Sequence, residues 1–233
     1  MPNIKKKRGA WNFGGSVPKN FVKHIDRSVP FYSTGHEIIK GYSDYFLKNK
    51  SICYDIGTST SELLIKLSNY SNKKAKFIGL DIEKKMTDYS KKIIKTKKIK
   101  NIKIEAKDIT KSNLLKSDMI ISYYTLQFIN PKYRQLVLNK IYKSLNWGGA
   151  FFLFEKIRGA DARFQDMYTN LYHDFKQSNG FSIKQIDEKA KSLRGVLEPF
   201  SEKGNLDMLK RAGFIDVCGI FQYLCFRGYL CIK

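Results

Sequence analysis

From Ser51 onward, short apolar runs alternate with amphipathic segments, and that rhythm leaves few folds open. The runs 51–56, 76–80, 102–107, 118–123 and 150–154 have strand length and carry apolar residues on both faces. Between them the spacing predicts helices over 60–70, 84–96 and 132–145, with Ser59 or Thr60 as cap of the first and a turn at Trp147–Gly149. Strands and helices alternating in units of this length give a parallel sheet with helices on both faces. After Glu155 the rhythm changes. Helices are expected over 161–177, 182–193 and 203–212, the last stopped by Gly213, and two strand-like runs, 214–222 and 224–233, then pair as a hairpin on the sheet edge. The expected class is α/β: a doubly wound, seven-stranded, mostly parallel, Rossmann-like sheet with inserted helices after strand 5. Residues 1–48 are expected to form an N-terminal helical lid, with helices over 17–25 and 37–48 separated at Pro30. Residues 49–233 then form the ligand-binding domain, with a helical insertion at about 161–195.

In such a sheet the ligand lies at the carboxyl ends of the strands, so the residues there matter most. The first strand ends Asp55-Ile-Gly57-Thr58-Ser59, a turn in which glycine lets a ligand approach the backbone. The single glycine does not make the G-x-G-x-x-G cradle that a pyrophosphate needs. The second strand ends in Asp81, 24 residues after Gly57, where a carboxylate can accept both hydroxyls of a ribose. Asp108 and Ile109 follow the third strand, within reach of an adenine, and Tyr123 and Glu155 end the next two. A ribose site without a phosphate cradle points to S-adenosylmethionine or S-adenosylhomocysteine. The architecture is that of S-adenosylmethionine-dependent methyltransferases. The candidate donor-binding set at the strand ends is Asp55, Gly57, Thr58, Ser59, Asp81, Ile82, Asp108, Ile109 and Tyr123.

Composition narrows the classes further. The net charge is +22, from 43 Lys and Arg against 21 Asp and Glu, but 35 of the basic residues are Lys, scattered along the chain. Phosphate recognition favours Arg forks, so solvated faces are expected before a nucleic-acid site; Lys5–Arg8 and Lys91–Lys100 are the densest clusters. Nucleic acid is therefore a disfavoured partner and a small molecule the expected one. The four cysteines lie in apolar runs without metal spacing, and no metal site is expected. No secretory signal and no apolar run approaching ~18 residues is visible, so a cytoplasmic protein that does not cross a membrane is expected.

Several motifs together resemble one family. Arg27-Ser-Val-Pro-x-Tyr32, Tyr54-Asp-Ile-Gly57, Thr125-Leu-Gln-Phe128, the segment Asn139–Gly149, Glu155-Lys156 and His173-Asp-Phe-Lys176 resemble carboxy-S-adenosylmethionine synthases. These bacterial enzymes supply the carboxymethyl donor for modification of the tRNA wobble uridine. The resemblance runs from about Trp11 to the C-terminus. It implies donor contacts at Tyr32, Gly57, Ser59, Asp81 and Asp108, a prephenate-like second substrate, carboxy-S-adenosylmethionine as product and a homodimer. Three positions depart. Tyr123 stands where the family has Asn, Thr58 where it commonly has Cys, and Ala190 where it uses an Arg to pair with the product's extra carboxylate. Without that Arg, ordinary methyl transfer to an unknown small acceptor ranks ahead of carboxylated-donor synthesis, and Lys191 or Arg194 is the first substitute for the missing cation. His173, Tyr172, Tyr123, Tyr124 and Glu155 are the candidates for catalysis. A nucleic-acid methyltransferase and a non-catalytic S-adenosylmethionine-binding partner protein are the remaining alternatives; the fourth strand ends Ser122-Tyr-Tyr-Thr125, without the signatures of common base methylases.

Overall fold

A computed structural model of the chain describes residues 17–71 and 74–233. The expected turn at Trp11–Gly15 and the basic cluster Lys5–Arg8 lie outside the described residues. Two helices lead, α1 (Val17–Ser28) and α2 (Tyr32–Phe46), longer and differently bounded than expected. Pro30 does separate them, and Phe31 takes a left-handed φ of 53° to turn the chain between them.

The alternating region then forms β1 (Ile52–Ile56), α3 (Glu62–Tyr70), β2 (Lys76–Asp81), α4 (Lys84–Thr96), β3 (Ile102–Ala106), β4 (Ser117–Tyr123), α5 (Pro131–Ser144) and β5 (Leu145–Lys156). Helices α6 (Ala162–Ser178), α7 (Ile183–Ser192) and α8 (Glu202–Ala212) follow, and β6 (Asp216–Tyr223) and β7 (Phe226–Ile232) close the chain. The seven strands form one sheet in the order β3-β2-β1-β4-β5-β7-β6. The first five run parallel, whereas β7 is antiparallel to both β5 and β6. The expected hairpin therefore occupies the edge.

Alternation along the strands splits the core in two. Cys53, Met119, Ile121, Phe152 and Phe154 face the side covered by α2 and α3 through Ile39, Leu63, Leu64 and Leu67. Tyr54, Ile56, Ile120, Phe151 and Leu153 face α5 and α8 through Val137, Leu138, Ile141, Met208 and Leu209. Because both faces are buried, the strands read as continuous apolar runs.

Two local expectations are corrected. Neither Ser59 nor Thr60 caps α3; Ser61 stands at the cap with a left-handed φ of 61° and makes no side-chain cap bond. Trp147–Gly149 is not a turn ahead of a strand but part of β5, where Gly148 has φ 74° and the β4 register shifts between Ser117 and Met119. The extra residues are accommodated as a bulge.

Candidate active site

The strand ends converge on a cavity of about 1180 Å³. Gly57 and Ser59 line it from the β1 turn, Asp81 and Ile82 from β2, Asp108 and Ile109 from β3, Tyr123 and Tyr124 from β4. Tyr32 of α2 and Tyr172 and His173 of α6 close the opposite side. Asp55 and Thr58 line a small neighbouring cavity instead.

The β1 turn is built from strained backbone. Gly57 and Ser59 have φ of 77° and 51°. A Cβ on Gly57 would lie 2.2 Å from the Thr125 hydroxyl, so only glycine fits here. The first amides of the turn are already engaged: Gly57 and Thr58 N–H both donate to the Leu80 carbonyl, at 2.7 and 3.0 Å. The Ser59 N–H donates to Asp81 at 2.8 Å. Such a turn is no phosphate cradle, which suits a ligand that lacks phosphate.

Asp81 combines two tasks. Its carboxylate accepts the Ser59 and Glu83 N–H groups, at 2.8 and 2.9 Å, and so ties β1 to the start of α4. It also lines the cavity, where its remaining lone pairs can accept hydroxyl groups of a ligand. Burial raises its pKa, opposed by those backbone hydrogen bonds. Asp108 likewise organises its own turn, one carboxylate oxygen accepting the Thr110 N–H and hydroxyl at 2.9 and 2.7 Å. An open glycine turn beside a cavity-lining carboxylate fits the nucleoside of S-adenosylmethionine.

Tyr123 is buried in the wall between the two cavities. Its hydroxyl donates to the Tyr32 carbonyl at 2.5 Å, and its ring packs on Tyr32, His36 and Tyr124. Burial holds its phenol well above the ordinary range, so it serves as a neutral donor and wall rather than a base. Glu155 lines neither cavity. It is buried beside Arg134 and the Leu126 and Gln127 N–H groups, and burial raises its pKa well above the usual carboxylate range. This places Glu155 behind the cavity wall, not at a reacting centre.

The inserted helices bring a group of cations that the strand-end reading does not contain. Lys156 follows β5, Lys176 lies one turn beyond Tyr172 on α6, and Lys189 lies on α7; all three line the cavity. The ammonium groups of Lys156 and Lys176 sit over the Tyr172 ring, 4.5 and 3.8 Å from its centre. Tyr172 itself donates to the Ser28 carbonyl at 2.6 Å, which pins α6 to the end of α1. Lys189 Nζ lies 2.7 Å from His24 Nε2. Burial pushes Lys176 down to about 8 and Lys189 to about 7, each helped by a neighbouring lysine, and lowers Lys156. His24 falls to about 4 through burial, then Lys189 and Arg27. His173 is lowered by burial, Lys176 and Lys156, which leaves a neutral imidazole at the cavity. Glu188 and Glu198 also line the cavity. Ala190 is on its wall as well. Of the expected substitutes, Arg194 lines the cavity but is exposed, whereas Lys191 pairs with Asp187 at 2.6 Å on the outer face of α7. Lys189, the residue before Ala190, is the cation that reaches inward.

Sequence comparisons bear on this geometry. A family profile described as "Methyltransferase domain" matches residues 47–213. A carboxy-S-adenosyl-L-methionine synthase of Staphylococcus epidermidis is 36% identical over 224 residues, covering 96% of this chain and 97% of its own length. One from Sulfurimonas denitrificans is 34% identical over 230 residues, covering 99% and 96%. The chain belongs to the carboxy-S-adenosyl-L-methionine synthase family. Membership makes it an S-adenosylmethionine-dependent transferase. Solved structures agree on the fold: a methyltransferase of Aquifex aeolicus has a TM-score of 0.61 at 15% identity, covering 92% of this chain and 97% of its own. Human N-acetylserotonin methyltransferase, in complex with S-adenosylmethionine, has 0.62 at 14%, covering 94% and 56%. Within the carboxy-S-adenosyl-L-methionine synthase family, the lysine-rich cavity end is what the strand-end motifs alone would miss. Two of its lysines belong to the motifs Glu155-Lys156 and His173–Lys176, but neither motif marks their approach in the fold.

Proposed function

We propose that this chain combines S-adenosylmethionine with a carboxylate-bearing small molecule of the prephenate type and yields the carboxylated donor that its relatives are named for. The observation that carries the proposal is the convergence of Lys156, Lys176 and Lys189 on one end of the cavity. Desolvated ammonium groups crowded together raise each other's energy, and an anion bound among them relieves it. A neutral methyl acceptor would leave that cost in place. Lys189 thereby fills the role that Ala190 cannot, from the preceding position on the same helix.

The residues divide the work. Asp81 and Asp108 hold the nucleoside, and the Gly57 turn lets it lie close to the sheet. Tyr172 orders Lys156 and Lys176 through its ring, and its bond to Ser28 closes the cavity side. Neutral His173 is positioned to move a proton at the lysine-rich end. When bound, S-adenosylmethionine supplies the activated methyl carbon. The test is incubation with S-adenosylmethionine and prephenate, followed by mass spectrometry of the donor. Appearance of the carboxylated donor supports the reading. Unchanged donor, or demethylated donor formed only with another acceptor, returns ordinary methyl transfer to first place. That second reading rests on Ala190 in the cavity wall.

A further inference from the structure

The three lysines that converge on the cavity are not held alike. Lys156 and Lys176 lie over the Tyr172 ring, 4.5 and 3.8 Å from its centre, a contact that needs an ammonium charge. Lys189 meets a nitrogen: its Nζ lies 2.7 Å from His24 Nε2. The imidazole is itself held, edge-on to Phe181 at 5.6 Å, and the Arg27 guanidinium stands 4.8 Å from the centre of the same ring.

This setting opposes charge on both partners. Burial, then Lys176, brings Lys189 down to about 7; burial, then Lys189 and Arg27, brings His24 to about 4. Near neutral pH a substantial share of Lys189 is therefore a neutral amine beside a neutral imidazole. With its proton on Nδ1, His24 accepts an amine N–H through Nε2, so this contact does not consume the nitrogen lone pair. A lysine desolvated next to a second cation is activated as a nucleophile toward carbonyl carbon. Lys189 lines the same cavity as Lys156 and Lys176, with Phe181 and Leu193 as apolar wall. A 2-oxo acid carries its carbonyl carbon directly beside its carboxylate. Held as an anion among these cations, it presents that carbon to the amine.

We propose that Lys189 forms an imine with a 2-oxo acid bound at the lysine-rich end, with Lys176 meeting the carboxylate and His24 holding the amine. The Lys189 nitrogen attacks the carbonyl carbon, the carbon–oxygen double bond opens, and the nitrogen passes a proton to that oxygen through His24. The oxygen then leaves as water with one further proton from solvent, and a protonated carbon–nitrogen double bond remains. The iminium nitrogen keeps the positive charge of this cavity end. The proposal deepens the proposed function and rests on its reading that this end takes a carboxylate, but the step needs no S-adenosylmethionine.

The experiment uses the whole protein with pyruvate and sodium cyanoborohydride, in the absence of S-adenosylmethionine, followed by digestion and peptide mass mapping. Reduction of the imine adds the mass of pyruvic acid less one oxygen atom to the lysine that reacted. Lys189 should carry about tenfold or more of this adduct than exposed lysines such as Lys84 and Lys203. Acetone, a carbonyl without a carboxylate, should label Lys189 about tenfold less than pyruvate does. Lactate, a carboxylate without a ketone, should slow labelling by pyruvate. Lys176→Met should also slow it, because both the carboxylate's partner and the neighbouring charge are gone. In wild type, adduct spread evenly over exposed lysines, or placed on Lys156 or Lys176 in preference, overturns the proposal without any variant having to fold. Equal labelling of Lys189 by acetone and pyruvate overturns the 2-oxo acid. Selective labelling of Lys189 by an enzyme that makes no carboxylated donor would keep the imine and sink the proposed function. Carboxylated donor made without a Lys189 adduct would do the reverse.

Discussion

A carboxylate that holds two backbone amides and also faces the cavity makes Asp81 sensitive in two ways. Asp81→Ala should cost donor affinity tenfold or more, because a hydrogen bond to a charged group contributes ~1.5–3 kcal/mol. Part of the loss will come from the freed Ser59 amide, so calorimetry should be paired with a thermal melt; unchanged affinity in a folded variant removes Asp81 from the site. Gly35 gives a second test at this scale. A Cβ there would stand 2.1 Å from the Tyr123 hydroxyl oxygen, so the bulky Tyr123 requires a glycine on α2. Gly35→Ala should destabilise by ~1–3 kcal/mol through overpacking. Adding Tyr123→Asn removes the ring, and the helix preference of alanine should then recover roughly 1 kcal/mol. Denaturant midpoints of single and double variants check both signs. Asp81 was legible from its distance to Gly57, because chain spacing alone places the next strand end. The Gly35–Tyr123 pair was not, since it joins residues 88 positions apart through packing.

Helix register decides which lysine of α7 acts. Lys189 and Lys191 are two residues apart, so they cannot share a helix face. Lys191→Ala breaks only an exposed pair with Asp187 and should change stability and ligand affinity little, within about 0.5 kcal/mol. Lys189→Met should weaken binding of an anionic ligand and leave S-adenosylhomocysteine largely unaffected. Lys189 also carries a pH signature. In the ligand-free fold Lys189 is lowered to about 7, so between about pH 7 and its unfolded value near 10.5 the unfolded chain holds more protons. Its destabilising effect is full below the folded value and disappears as pH rises through that window. Wild type should therefore gain stability relative to Lys189→Met between pH 7 and 9.5 in thermal melts. The sequence carried the strands and helices of this region because their periods are local. It did not carry which side of α7 faces the cavity, because six of the eight residues from Lys184 to Lys191 are polar or charged and it is the burial of Ile186 and Ser192 that orients the helix.

At the scale of the whole molecule, topology put the candidate residues on one rim, and the inserted helices decided the character of what that rim encloses. The parallel order of β1 to β5 was implied by alternation, so Asp81, Asp108 and Tyr123 were certain to meet once the fold formed. The lysine-rich end depends on three segments far apart in sequence, and no local pattern marks their approach. The same distinction governs the charge of +22. Much of it is on exposed lysines, several engaged with acids one turn away, as in Lys84 with Asp88 and Lys203 with Asp207. Lysines of that kind attract polyanions without reading them, since base recognition needs placed forks and stacking surfaces. Any complex with RNA or DNA should therefore be weak, indifferent to sequence, and lost steeply between about 50 and 200 mM salt as counterion release loses its drive. Filter binding of several unrelated tRNAs and a DNA duplex across that range checks it. A salt-resistant complex with one tRNA would show that the scattered charge is organised after all, and would make nucleic acid a partner in its own right.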